Sequence, residues 1–274
     1  MKTIRHSRFP MIVTTVTLVF FYAPLLIVSM ASFNASKYGG RWTGFSLKWY
    51  EKLFSDSAIW EALVNTLVIA LAATFFSTLL GTLAALSLHK CKKGKFRLFH
   101  YGLVYSPLVV PDILLGISLL MMFVSVLGVA GPLVEQLTGF KPGLGMTTII
   151  IAHITFCMSY VAMVVLARLQ DFDYALVEAA QDLGANSFQT FMKVTLPVIL
   201  PAVIAGALFA FTLSIDDFVI TFFVKGAGDT TLPIYIHSAM RRGTPAVINA
   251  MSVVFLVLTF LLVFTSQKLL ETKK

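Results

Sequence analysis

The chain has 274 residues, 58% of them hydrophobic and 12% charged, with a formal net charge of +8. Soluble domains carry about a quarter charged residues, so this composition excludes an ordinary soluble fold and predicts an all-α, polytopic membrane protein. The two cysteines, Cys91 in a basic loop and Cys157 in an apolar run, allow no disulfide framework. No Cys, His and carboxylate set has metal-ligand spacing, so neither a metal nor another cofactor is expected. The positive surplus reads as anchoring of loops beside anionic lipid, not as nucleic-acid binding.

A hydrocarbon core of roughly 30 Å takes about 20 apolar residues per helix. Six runs meet that length: residues 11–32, 62–88, 100–127, 144–166, 198–222 and 247–267. They leave little chain for a soluble domain, and predict a single transmembrane domain over residues 1–274. The N-terminal MKTIRHSRF holds three basic residues, the loop HKCKKGKFR five and the tail QKLLETKK three. Placing these segments in the cytoplasm satisfies the positive-inside rule, with both termini inside. The loop at 34–61 is more balanced, with four basic and three acidic residues. Ser29-Met30-Ala31 resembles a signal cleavage site, but the apolar run before it is long for a signal and interrupted by Pro24.

After the first span, FSLKWYEKLF predicts a short amphipathic helix at the outer interface, capped by Ser46. In the third span, Pro107 and Pro111 predict a kinked helix. Counting from Arg97 at about 1.5 Å per residue puts Asp112 some 20 Å deep. Between spans four and five, DYALVEAAQDL reads as a helix with Asp171 or Asp173 at its start. Gly184 suits a left-handed turn after it. Residues 186–196 then form a second short helix capped by Asn186 or Ser187, and Pro197 opens the next span.

Within that helix-turn-helix, Glu178-Ala179-Ala180, three residues, Gly184, nine residues, Val194, one residue and Leu196-Pro197 form a spaced set. Small alanines let a helix press into a cleft on a soluble partner, Glu178 supplies a charged contact, and the glycine lets the chain reverse. The set resembles the EAA loop of ABC importer permeases, EAA-x3-G-x9-I-x-LP, with Val194 in place of isoleucine. Further stretches, SFNASKYGGRWTGFSLKWY, HITFCMSYV, FTLSIDDFVITFFVKG and TLPIYIHSAMRRGTPAVINA, look like the PotC and PotI permeases of spermidine/putrescine importers. The resemblance implies a type I importer permease fold in a bacterial inner membrane. It also implies an ATPase dimer of the PotA kind docking on Glu178, Ala179, Ala180 and Gly184. A second permease, PotB- or PotH-like, and a periplasmic polyamine-binding protein, PotD- or PotF-like, would complete the assembly. No G-x-x-x-x-G-K-[ST] occurs, so ATP hydrolysis is expected in a partner chain, and no residue here is expected to be catalytic.

Asp112, Asp216 and Asp217 lie in apolar segments with no basic residue near mid-membrane to pair with them. Intramembrane acids usually face a bundle interior or watery cavity, so the three are candidates for a cation pathway. Span counting places Asp216 and Asp217 about 28–30 Å along span five, near the outer surface. Tyr160 offers cation–π character, and His153 is expected to be a hydrogen-bonded interior residue. A secondary cation transporter working through the same acids is the alternative; it predicts repeated halves with matching broken helices, and no repeat stands out. An ABC permease for another small solute is a further alternative.

Overall fold

The computed structural model describes residues 8–37, 41–91, 94–243, 246–257 and 260. Among these, regular structure is helical apart from one isolated antiparallel bridge, Asn34 to Phe45. The chain divides into two compact units, Met1–Trp60 with Tyr235–Lys274, and Glu61–Ile234.

The first unit begins with α1, Arg8–Ser32, which runs through Pro24 unbroken. The most apolar window of this helix has none of its surface buried. Thr14, Thr15 and Ser29 return their hydroxyls to carbonyls four residues back, so the helix satisfies its polar groups internally, as lipid requires. Asn34 organises the loop that follows. Its amide donates to the Arg41 carbonyl, its side-chain oxygen accepts from Ser36 and Thr43, and its backbone carbonyl receives Trp49 Nε1 at 2.8 Å. The expected amphipathic helix forms as α2, Lys48–Ser55, with Trp49 and Leu53 buried. Ser46 does not cap it: Leu47 holds the N-cap position, and Ser46 Oγ only accepts the Lys48 N–H at 3.3 Å. The Tyr235 hydroxyl donates to Asp56 Oδ2 at 3.1 Å within the same unit. Of the sixth predicted span, the described part is an apolar helix, Ala246–Val257; most of its remainder, the basic tail and the first seven residues lie outside the described residues.

The second unit holds most of α3, Ser57–Lys90, and then α4, Lys95–Val109; α5, Asp112–Thr138; and α6, Met146–Gln170. There follow α7, Ala175–Asp182; α8, Ser187–Thr190; α9, Leu196–Asp216; and α10, Val219–Val224. The next helix, α11, spans Leu232–Arg241. Among the described residues, five helical stretches are long and apolar enough to cross a membrane: Phe9–Ser32, Ser57–Lys90, Asp112–Thr138, Met146–Gln170 and Ser187–Asp216.

At the centre, α6 and α9 lie antiparallel. His153 meets Ser214, Cys157 the Ala210 carbonyl, Val161 Gly206, and Arg168 the Val198 carbonyl. Ile149, Cys157, Val161, Ile199 and Ala210 are fully buried there. Small residues set the spacing, as membrane helix interfaces require. A Cβ on Gly81 of α3 would fall 2.7 Å from the Met158 carbonyl oxygen and 2.8 Å from Val161 Cβ; on Gly206 it would meet Val161 at 3.3 Å. A Cβ on Gly128 meets nothing within 4 Å. Melting temperatures of the purified permease should therefore rank Gly81→Ala lowest, Gly206→Ala next and Gly128→Ala unchanged. Overpacking at Gly81 should cost about 1–3 kcal/mol.

Two expected spans are built differently. Span three is two helices: Val110 is extended (φ −73°, ψ 129°) before Pro111, and α5 starts afresh at Asp112. The Pro111 ring disfavours helix at the preceding residue and supplies no N–H. Since α4 and α5 laid end to end would measure about 60 Å, twice the hydrocarbon core, counting from Arg97 does not give the depth of Asp112. That residue opens an apolar helix rather than sitting in the middle of one. Span five stops at Asp216, with Asp217 extended (ψ 125°) before the short α10 continues. Pro197 does not open a new helix either. Helix runs from Ser187 onward through a π turn at Phe191–Thr195, where the Leu196 N–H reaches the Phe191 carbonyl. A proline ring crowds the carbonyl four residues back, and the wider turn relieves that clash.

Candidate coupling loop and transport site

The first site is the loop from α7 to α9. Asp173 Oδ1 accepts the Ala175 N–H at 2.9 Å at the start of α7. At its end Gly184 is left-handed (φ +86°), and bonds from Gly184 N–H to Gln181 and from Ala185 N–H to Ala180 close a Schellman turn. Asn186 caps α8, exchanging bonds with Gln189. Glu178 and Ala179 are exposed and Ala180 is half-buried. Leu183 and Phe188 are 89% and 73% exposed, so the loop presents an apolar surface around one carboxylate. Its other side closes a cleft of about 160 Å³ lined by Leu86, His89, Leu169, Phe172 and Thr190. There the His89 and Tyr174 rings stack at 5.5 Å, tying the end of α3 to the loop.

The second site lies at the two helix breaks. Asp112, the first residue of α5, is exposed. Tyr160 stands edge-on to Phe209 at 5.3 Å. One turn after Asp112, Gly116 packs on α10, where an added Cβ would meet Phe223 Cδ2 at 2.8 Å and Ile220 Cα at 3.5 Å. Asp216 ends α9 and is exposed. Both acids thus flank α10.

Asp217 behaves differently from its neighbour. Its Oδ2 accepts the Thr221 N–H and hydroxyl, both at 2.8 Å, and lies 3.3 Å from His153 Nε2; Oδ1 accepts the Ile220 N–H at 3.3 Å. The carboxylate therefore caps α10 and has a basic partner, which corrects the expectation that none was available. His153 is buried, with Nδ1 2.7 Å from Ser214 Oγ and Nε2 2.9 Å from Thr221 Oγ1. The Thr221 hydroxyl proton goes to Asp217, so the Thr221 oxygen is left to accept from His153 Nε2. His153 lies seven residues after Met146, about 10 Å along α6, and α10 extends beyond it to the Thr148 Oγ1–Val224 carbonyl bond at 2.7 Å. Asp217 therefore lies about two helical turns in from the start of α6. Ser214, Asp217 and Thr221 recur at i, i+3 and i+7, one helical face, and that spacing was the available sign of the cluster.

A family model described as binding-protein-dependent transport system inner membrane component matches residues 77–274. The chain belongs to that family. It is 40% identical over 253 residues to the putrescine transport system permease protein PotI of Escherichia coli K12, covering 92% of this chain and 86% of that one. It is 36% identical over 260 residues to the spermidine/putrescine transport system permease protein PotC of the same strain, covering 94% and 92%. Among solved structures, a bacterial ABC transporter importing alginate matches with a TM-score of 0.70 at 19% identity, over 93% of this chain and 91% of that one. A second, of the alginate transporter with an alginate-pentasaccharide-bound periplasmic protein, gives 0.71 at 21% over 93% and 90%. These two show that the permease has the importer fold. It is a multi-pass inner-membrane component, with the exposed Glu178 loop at one end of α9 and the acid-flanked break at the other.

Proposed function

We propose that this permease imports polyamines, putrescine or spermidine, as one subunit of an ATP-driven importer working by alternating access. The full-length similarity to PotI and PotC carries the substrate class. The loop of α7 and α8 docks an ATPase dimer of the PotA kind, with Glu178 and the flanking apolar residues against it, on the cytoplasmic side with both termini. A second permease of the PotB or PotH kind and a periplasmic binding protein of the PotD or PotF kind complete the machine.

Helix runs on from Ser187 to Asp216, so displacement of the docked loop moves the acid-bearing end of α9. Polyamines carry two or three ammonium groups on a flexible chain. Asp112 and Asp216 replace part of their hydration, Tyr160 presents an aromatic face, and the carbonyl ends of α4 and α9 at the two breaks add partial negative charge. Asp217 contributes by holding the break. An inside-negative potential already favours cation entry by about 2.3 kcal/mol per charge per 100 mV, so ATP supplies directionality and coupling to the binding protein.

The test is uptake of labelled putrescine and spermidine into proteoliposomes holding the complete transporter and its binding protein. Uptake that persists without ATP hydrolysis overturns the proposal in favour of a secondary transporter. Asp112→Asn should lower maximal uptake about tenfold with assembly intact, the scale of one charge-assisted contact. An unchanged rate removes Asp112 from the path.

A further inference from the structure

Asp216 and Asp217 are adjacent, yet the structure gives them opposite surroundings. Asp216 is exposed at the end of α9, whereas the Asp217 side chain is 9% exposed and faces α6. Consecutive helical residues point about 100° apart. A carboxylate offers about four lone-pair positions, and Asp217 already accepts from two backbone N–H groups and one hydroxyl, with His153 Nε2 3.3 Å from Oδ2. To bind a passing ammonium group it would release these donors, uncapping α10 and removing the carboxylate from beside the buried His153.

His153 reaches three successive places around the break: Ser214 in the last turn of α9, Asp217 at the junction and Thr221 in α10. It does so from α6, the candidate span with the largest buried share. The junction has no helical bond of its own to set its angle, because Asp217 is extended. We propose that His153 is a positioning residue for transport: with Ser214 and Thr221 it holds Asp217 as an internal anchor, which fixes the break so that Asp216 is the carboxylate presented to the cation. This rests on the pathway assignment made above for Asp216.

The test uses the complete transporter in proteoliposomes, with saturating putrescine-loaded binding protein. Uptake per ATP hydrolysed is read beside copurification of the ATPase subunit. A variant that merely lowers the amount of folded protein reduces uptake and hydrolysis together and leaves their ratio unchanged. Asp216→Asn and His153→Ala should each lower the ratio about tenfold. Combined, they should lower it by little more than either alone, because a misplaced Asp216 has nothing left to lose.

Asp217→Asn keeps a carbonyl oxygen where Thr221 and His153 face Oδ2 but loses the charge and turns its amide toward the Ile220 N–H, so it should lower the ratio less than His153→Ala. If His153→Ala does not assemble, Ser214→Ala, which removes only the Nδ1 bond, should assemble and give a smaller fall in the ratio. Multiplying effects of Asp216→Asn and His153→Ala overturn the positioning role. An unchanged ratio in Asp216→Asn alone removes the pathway assignment, and the positioning role with it. An unchanged ratio in His153→Ala, with Asp216→Asn impaired, sinks only the positioning role.

Discussion

Replacing Gly226 by alanine is expected to prevent accumulation of well-folded permease. A Cβ there would overlap the Leu144 carbonyl oxygen, with the Leu144 carbonyl carbon at 2.9 Å and Asp229 Oδ2 at 3.0 Å. The obstacle is backbone next to the start of α6. The Ile149 N–H already bonds the Gly145 carbonyl at 3.1 Å, and Thr148 Oγ1 lies 2.8 Å from that carbonyl and 2.7 Å from that of Val224. Gly145 has no slack either, since a Cβ on it would lie 2.9 Å from Asp229 Oδ2. Relief would require moving the first turn of α6, the helix that contributes more buried core residues than any other. Overpacking that forces backbone shifts costs about 1–3 kcal/mol and sometimes more, against a total stability of roughly 5–15 kcal/mol. Gly143→Ala is the matched control, three residues before Met146 and with nothing within 4 Å of its Cβ. Monodisperse yield and melting temperature should collapse for Gly226→Ala and stay normal for Gly143→Ala. Equal behaviour of the two would show that the loops do not pack this closely.

What could be read in advance depended on whether a feature was local. The loop between α7 and α8 was legible because caps and turns are set by neighbours in sequence: Gly184 turns left-handed and Asn186 caps α8, while at the start of α7 Tyr174 holds the N-cap position and Asp173 accepts the Ala175 N–H. Apolar length placed five helices, but it does not report breaks, so α4 and α5 were merged and α10 was absorbed into its predecessor. Pro111 was visible, yet proline kinks some membrane helices and ends others, and only the partners available to the freed carbonyls decide which. The partner of Asp217 was invisible for a different reason: His153 is 64 residues away in sequence, and only the antiparallel register of α6 and α9 brings them together. The same register explains why two adjacent acids that look equivalent in sequence are not equivalent in the fold.

Gly184→Val is expected to uncouple transport while leaving the membrane core intact, the second large effect. Gly184 sits at φ +86° with nothing within 4 Å of its added Cβ, so the cost is conformational and confined to the loop. A β-branched residue in the left-handed region costs roughly 1–2 kcal/mol and would reopen the Schellman turn that sets the angle between α7 and α8. The exposed face of Glu178, Leu183 and Phe188 would then no longer be presented as one surface to the ATPase. Uptake should fall at least tenfold, and stimulation of ATP hydrolysis by the loaded binding protein should be lost, an effect of about 1.4 kcal/mol or more in coupling. The melting temperature of the permease alone should change little. Gly184→Asn should be milder, because asparagine tolerates the left-handed region. Glu178→Ala should weaken ATPase copurification without disturbing the turn. If Gly184→Val retains binding-protein-dependent uptake and stimulated hydrolysis, the loop does not transmit closure to α9. The drive would then have to enter the permease at another surface.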